Sequence, residues 1–247
     1  MRVFFRLACF CILFWHTPAH ADGLVFYTES YPPYSYQDKT TGKISGIAVD
    51  IVDHILKRTG FKTRIQLVPW KRGYETTLSR KNTCLFSTGR TEDREKLFKW
   101  VTPFTEVSLV LFSRKDNPVT LNTLDDVRNY RIGGYLGDAA SDYLVQKNIA
   151  VETVTNDQFN LRKLQSGRID LWATGELAGL ELADAAGIEN ITKAYTLFST
   201  PGGIACNIHT DDIILERMRD ELDTLQKDGV ISEIYHRYMP ELSVPGT

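Results

Sequence analysis

Thr91-Glu92-Asp93-Arg94 is the segment of this sequence whose residue types and spacing read most directly as chemistry. A threonine can cap the start of a helix, and acids at the next two positions suit the positive end of its dipole. Arg94 is then offered near that start, where its planar guanidinium can grip a carboxylate through two parallel hydrogen bonds. Pairing with Glu92 or Glu95 on a solvated surface is equally open to it at this level. Arg72 and Arg90 add positive charge nearby, with a solvated role as the alternative for Arg72. No catalytic pattern competes, because the chain shows no Ser-His-Asp, metal-ligand or phosphate-loop arrangement. His54, His209 and His236 are dispersed, and Gly133-Gly134-Tyr135-Leu136-Gly137 lacks the spacing of a nucleotide loop. No cofactor or metal is implied. The readable chemistry is the holding of an anion.

Such a cation needs a scaffold. The chain alternates short β-rich runs with amphipathic helices, the pattern of an α/β fold with mostly parallel sheets. Strands are expected over 24–28, 63–68 and 83–87, and helices over 47–58 and 71–80. Ile47, Ile51 and Ile55, with Val52 and Leu56, recur at helical spacing, and Lys57, Arg58 and Gly60 supply the stop. The apolar run 106–112 and the run 201–207 read as strands crossing between two lobes, with Gly202 and Gly203 permitting hinge dihedrals. Between them, strands at 131–135 and 169–173 and helices at 139–146, 158–165 and 176–186 form an inserted unit. Helices over 211–227 and 230–238 follow, the last stopped by Pro240. The expected architecture is therefore α/β and two-lobed: two mostly parallel sheets flanked by helices and joined by two hinge strands. Lobe 1 is discontinuous, 22–108 and 203–247, and lobe 2 is the inserted 109–202. A cleft between lobes so joined is the usual place for a ligand, and hinge closure its natural motion.

The first 21 residues read as a Sec signal peptide. Arg2 and Arg6 form a basic start, an apolar run spans 7–15, and Ala19-His20-Ala21 makes an Ala-x-Ala end. Cleavage is expected after Ala21, with a periplasmic product. Without Arg2 and Arg6, Lys+Arg falls from 29 to 27 against 31 Asp+Glu, a net charge near −4. That balance argues against nucleic acid or an anionic membrane as the main partner. Cys9 and Cys11 leave with the leader, so Cys84 and Cys206 either pair or remain as buried free thiols.

Seven motifs follow one another along the chain: Tyr31-Pro32-Pro33-Tyr34, Gly46-Ile47-Ala48-Val49-Asp50, Pro69-Trp70, Thr91-Glu92-Asp93-Arg94, Thr102-Pro103-Phe104, Leu164 to Asp170 and Lys227-Asp228-Gly229 with Tyr235 and Tyr238. In that order they resemble the extracellular solute-binding proteins of family 3, which include polar amino acid binding proteins. The resemblance covers 23–240 and implies a periplasmic binding protein-like fold. In that fold the strand carrying Cys206 returns beside the one carrying Cys84, which implies a disulfide. It also implies that Arg94 holds a ligand α-carboxylate, helped by the loop Ser87-Thr88-Gly89-Arg90, with Tyr31 and Trp70 as aromatic walls; Trp172 is open between wall and core. Family amino acid binders carry an ammonium-binding Asp five residues beyond the position of Asp170. Here that place is Gly175, with Glu176 beside it, and Asp138 stands where a small hydroxyl residue is usual. The implied ligand is zwitterionic or amine-bearing, its anionic end on Arg94 and its cationic part facing Asp138 or Glu176; a helix-start role is the alternative for Glu176.

A monomeric, non-enzymatic binding protein serving an ABC permease or a membrane sensor is the expected function. The alternative is an enzyme resembling the cyclohexadienyl dehydratases of the same fold, with Glu176 or Asp138 as its acid.

Overall fold

Residues 23–239 are described by a computed structural model. The leader, its cleavage point and the Pro240 stop lie outside the described residues. The first strand, β1 (Leu24–Thr28), is buried throughout, and its period of two explains how. Leu24 and Phe26 enter a core with helix α1 (Ile47–Thr59), while Val25 and Tyr27 face the opposite side with Trp70. A small hairpin, β2 (Tyr36–Gln37) and β3 (Ile44–Ser45), precedes α1. Ile47, Ile51 and Ile55 on α1 are all fully buried, as their spacing requires, and Gly60 ends the helix in the left-handed conformation at φ 68°.

Then come β4 (Thr63–Leu67), α2 (Trp70–Ser79), β5 (Thr83–Gly89) and the 16-residue β6 (Phe98–Ser113). After a 3₁₀ turn at Leu124–Asn129, the inserted unit runs β7 (Ile132–Tyr135), α3 (Ala139–Gln146), β8 (Glu152–Val154), α4 (Gln158–Gln165), β9 (Leu171–Gly175) and α5 (Glu176–Ala185). The equally long β10 (Thr192–Asn207) returns, and α6 (Asp212–Lys227) and α7 (Val230–Tyr238) close the chain against α1.

The strands form one eight-stranded ladder in the order β4-β1-β5-β10-β6-β9-β7-β8. Its two halves, each parallel within itself, are the two sheets expected, made continuous by β6 and β10. These long strands pair antiparallel with each other from Thr192 opposite Ser113 to Asn207 opposite Phe98. The expected crossings, 106–112 and 201–207, are thus only the apolar parts of longer strands. Gly202 and Gly203 differ from expectation in their reason: neither has positive φ. A Cβ on Gly202 would collide with the Thr105 methyl, and one on Gly203 with Thr102 and the Val101 carbonyl, so close strand approach demands glycine there. Among the described residues no helix is long and apolar enough to cross a membrane.

Cys84 on β5 and Cys206 on β10 are register partners, fully buried, and form a disulfide across 122 residues of sequence. Closing so long a loop restricts the unfolded chain. Replacing both cysteines by alanine should therefore cost about 2–5 kcal/mol, read as a lower urea midpoint. An unchanged midpoint would show that the bond contributes nothing.

Candidate functional site

The segments that leave the carboxyl ends of the parallel strands converge, which is where open α/β sheets place their sites. Glu29 and Tyr31 follow β1, Trp70 follows β4, Ser87 and Gly89 end β5, and Asp138 follows β7. With Arg94 and with Thr200 of β10 they line one cavity of about 20 Å³. Two larger grooves flank it. One, of about 300 Å³, shares Glu29 and Tyr31 and adds Tyr135 and Asp157. The other, of about 560 Å³, runs past Asp93, Asp142 and Phe198.

Arg94 is only 2% exposed. The helix expected after Thr91 is a succession of turns instead: Arg94 N donates to the Thr91 carbonyl at 3.1 Å and Leu97 N to the Arg94 carbonyl at 3.0 Å. β6 begins at Phe98, which leaves no length for a helix, and the Thr91 hydroxyl is buried without a partner rather than capping. The guanidinium lies over the rings of Trp70 and Tyr74, 5.3 and 5.4 Å from their centroids. Its Nη2 donates to the Gly137 carbonyl at 3.0 Å and to Asp142 Oδ2 at 3.3 Å. Trp70 Nε1 donates to the same Gly137 carbonyl at 2.6 Å, and Trp70 N to the Tyr135 hydroxyl at 3.3 Å. Every one of these bonds joins a group from the first half of the sheet to one from the inserted half.

Six of the eight ligand candidates therefore meet: Arg94, Trp70, Tyr31, Ser87, Gly89 and Asp138. Ser87 takes a positive φ of 61°, and its hydroxyl lies 3.3 Å from that of Ser35. Two candidates are elsewhere. Arg90 is held by both oxygens of Glu95 at 2.6 Å, because the turns after Thr91 fold Glu95 back over it. Glu176 is bonded by Lys193 at 2.6 Å, since the start of β10 passes the start of α5. Trp172 is core: it packs on Phe112 and donates Nε1 to Asp157 at 2.8 Å. Arg72 is exposed.

Acids crowd the Arg94 guanidinium. Burial pushes the Asp138 carboxyl up to about 6, against a hydrogen bond from Ala140 N that lowers it; the same bond caps α3. Burial also raises Asp142, opposed by Arg94, and Asp157, opposed by donors from Asn160, Thr174 and Trp172. Glu29, which sequence reasoning missed, is raised well above the carboxylate range by burial. Its signal was positional: it is the first residue past β1, at the carboxyl end of a parallel strand. Tyr135 and Thr200 were missed as well.

Residues 24–241 match the model of the bacterial extracellular solute-binding proteins, family 3. The chain belongs to this family. It is similar to the L-cystine-binding protein TcyJ of Escherichia coli (strain K12), 25% identical over 87% of this chain and 81% of that one. Among solved structures it resembles a histidine kinase sensor domain similar to periplasmic binding proteins, at TM-score 0.82 and 21% identity, covering 91% of this chain and 98% of that one. It also resembles an ancestral arginine-binding protein bound to arginine, at TM-score 0.77 and 23% identity, covering 87% and 97%.

Against that family background, Gly175 has a physical reason. A Cβ at 175 would overlap the Tyr31 hydroxyl, so the aromatic occupies the space in which a side chain would begin. Gly175→Ala should destabilise by about 1–3 kcal/mol, and adding Tyr31→Phe should recover part of the loss. Additive effects in that double-mutant cycle would refute the contact.

Asp138 gives a pH test. An acid raised in the folded state favours folding fully below its ordinary value of 3.8 and loses that contribution as pH rises through about 6. Asparagine caps helices as well as aspartate does. Relative to the wild type, the melting temperature of Asp138→Asn should therefore climb between about pH 4 and about pH 7. A constant difference would contradict the assignment.

Proposed function

We propose that this chain is an exported binding protein that closes around a small amino-acid-like solute. Arg94 grips the solute's carboxylate, Ser87 and Gly89 supply hydroxyl and backbone groups beside it, and Tyr31 and Trp70 wall the cleft. The observation that carries this reading is a guanidinium almost wholly shut from water, inside a cavity assembled from both halves of the sheet. Its bonds to the opposite half, to Gly137 and Asp142, leave from Nη2, so the rest of the guanidinium fork is available to a carboxylate. The names of the similar proteins point the same way: one is named for L-cystine, another for arginine.

A cavity of about 20 Å³ holds roughly one water, so the solute enters only when the halves part. In the proposed motion the lobes 22–108 with 203–247 and 109–202 rotate about β6 and β10, and the bonds of Trp70 and Arg94 to Gly137 are the contacts that break. The leader is removed after Ala21. The monomer then presents its load to an ABC permease or to a membrane sensor.

The reading is of binding without transformation. The two acids nominated for an enzyme are occupied, Glu176 by Lys193 and Asp138 by the start of α3.

A thermal-shift screen of the purified mature protein tests the proposal with α-amino acids, L-cystine, opines, polyamines and short peptides. A solute at 100 times its Kd adds about 2.7 kcal/mol of stability, a readily measured rise. Arg94→Ala should remove that rise while leaving a cooperative unfolding transition. A full response from the variant would remove Arg94 as the anchor.

A further inference from the structure

We propose that Glu29 is the acid that receives the ammonium group of the solute, in the cavity where Arg94 receives its carboxylate. The inference rests on the cleft reading above and adds a residue and a ligand class to it.

Glu29 is 6% exposed, and its Oε2 is buried without a hydrogen-bond partner among the described residues. Four acids named above have partners. Asp157 takes Trp172 Nε1 at 2.8 Å, Asn160 Nδ2 at 2.9 Å and Thr174 Oγ1 at 2.7 Å. Asp138 takes Ala140 N at 2.9 Å, Asp142 meets Arg94, and Glu176 meets Lys193. A buried carboxylate oxygen left unmet is disfavoured. Such a group is expected where a ligand completes it, since real folds break local rules chiefly at functional sites.

Its backbone does not let the acid swing away. The Ser35 hydroxyl donates to the Glu29 carbonyl at 2.8 Å, and the Thr28 hydroxyl donates to Ser35 Oγ at 2.8 Å. On the other side, Tyr135, whose oxygen accepts from Trp70 N, lines the same groove as Glu29. Glu29 also borders both the central cavity and the 300 Å³ groove. A cation and an acid lining one cavity this small select a molecule that carries both charges close together, as an α-amino acid does. The space at Gly175 is filled by the Tyr31 hydroxyl, so the acid is supplied from the Glu29–Tyr31 segment itself.

The charged and titratable groups facing Glu29 are Tyr31, Tyr135, Asp138, Asp157 and Arg94. Four of these are acids or phenols, and burial already favours the protonated carboxyl. An arriving ammonium reverses that preference, so binding should release a proton in the wild type.

The test uses the twenty common α-amino acids and L-cystine, each beside its des-amino carboxylic acid, by titration calorimetry in buffers of different ionisation enthalpy. The wild type should bind at least one amino acid on the order of 100-fold more tightly than its des-amino partner. Glu29→Gln should lose most of that preference and the proton release, and should melt no lower than the wild type, because a neutral amide matches the uncharged form that burial already favours. A structural role would instead lower the melting temperature and leave the preference intact.

Wild-type affinity retained by Glu29→Gln overturns the inference, as does equal wild-type affinity for both members of a pair. If Arg94→Ala still abolishes binding in either case, the cleft reading stands without Glu29. No response to any probe overturns both. The wild-type comparison needs no variant and decides even if Glu29→Gln fails to fold.

Discussion

The carbonyl oxygen of Gly137 is the point at which two bonds across the cleft converge. Trp70 Nε1 and Arg94 Nη2 both donate to it, at 2.6 and 3.0 Å. The turn that aims this carbonyl across the gap takes Gly137 through φ 74°, a left-handed conformation that glycine adopts without penalty. Space is not the reason: a Cβ there would only touch Trp70 at 3.6 Å. The small central cavity, the burial of Arg94 and the crowding of acids around it all follow from this closure. Excluding water also strengthens every charge interaction inside.

The scaffold allows such a contact because the chain crosses between the halves through β6 and β10, which remain paired along their length. Register shifts at Lys193, Thr196 and Gly202 interrupt the ladder without severing it. A strand pair with local irregularities can twist more readily than a helical core can shear. The Cys84–Cys206 bond lies at the far end of that pair, inside the first half, where it fixes β5 to β10 away from the crossing.

Much of this was legible in the sequence, and the failures have causes. α1 was readable because five apolar residues repeat at helical spacing, and each of them is buried. β6 was half hidden, since Lys99, Thr102 and Pro103 break the apolar run that marks its second part. β8 has three residues, too few to show a period. Arg90 and Glu176 were the right residue types in the right neighbourhood, but Glu95 and Lys193 reach them first, and Lys193 stands 17 positions away. Glu29 reads in sequence as one acid among 31. Its burial comes from the fold, which places it in a cavity with Tyr31 and Asp138, and no pattern in the sequence shows that.

Arg94 has two tasks in this scheme, and its geometry lets it perform both. The latch bonds to Gly137 and Asp142 leave from the same nitrogen, Nη2. A guanidinium presents five N–H groups in a fixed fork, so its other nitrogens can turn to a carboxylate while Nη2 keeps its hold on the opposite half. Lysine, with one compact ammonium, could make either contact but lacks the flat face that rests on Trp70 and Tyr74. Gripping the solute and holding the halves shut then become one event rather than competing ones, and the closed state is favoured most when both are made.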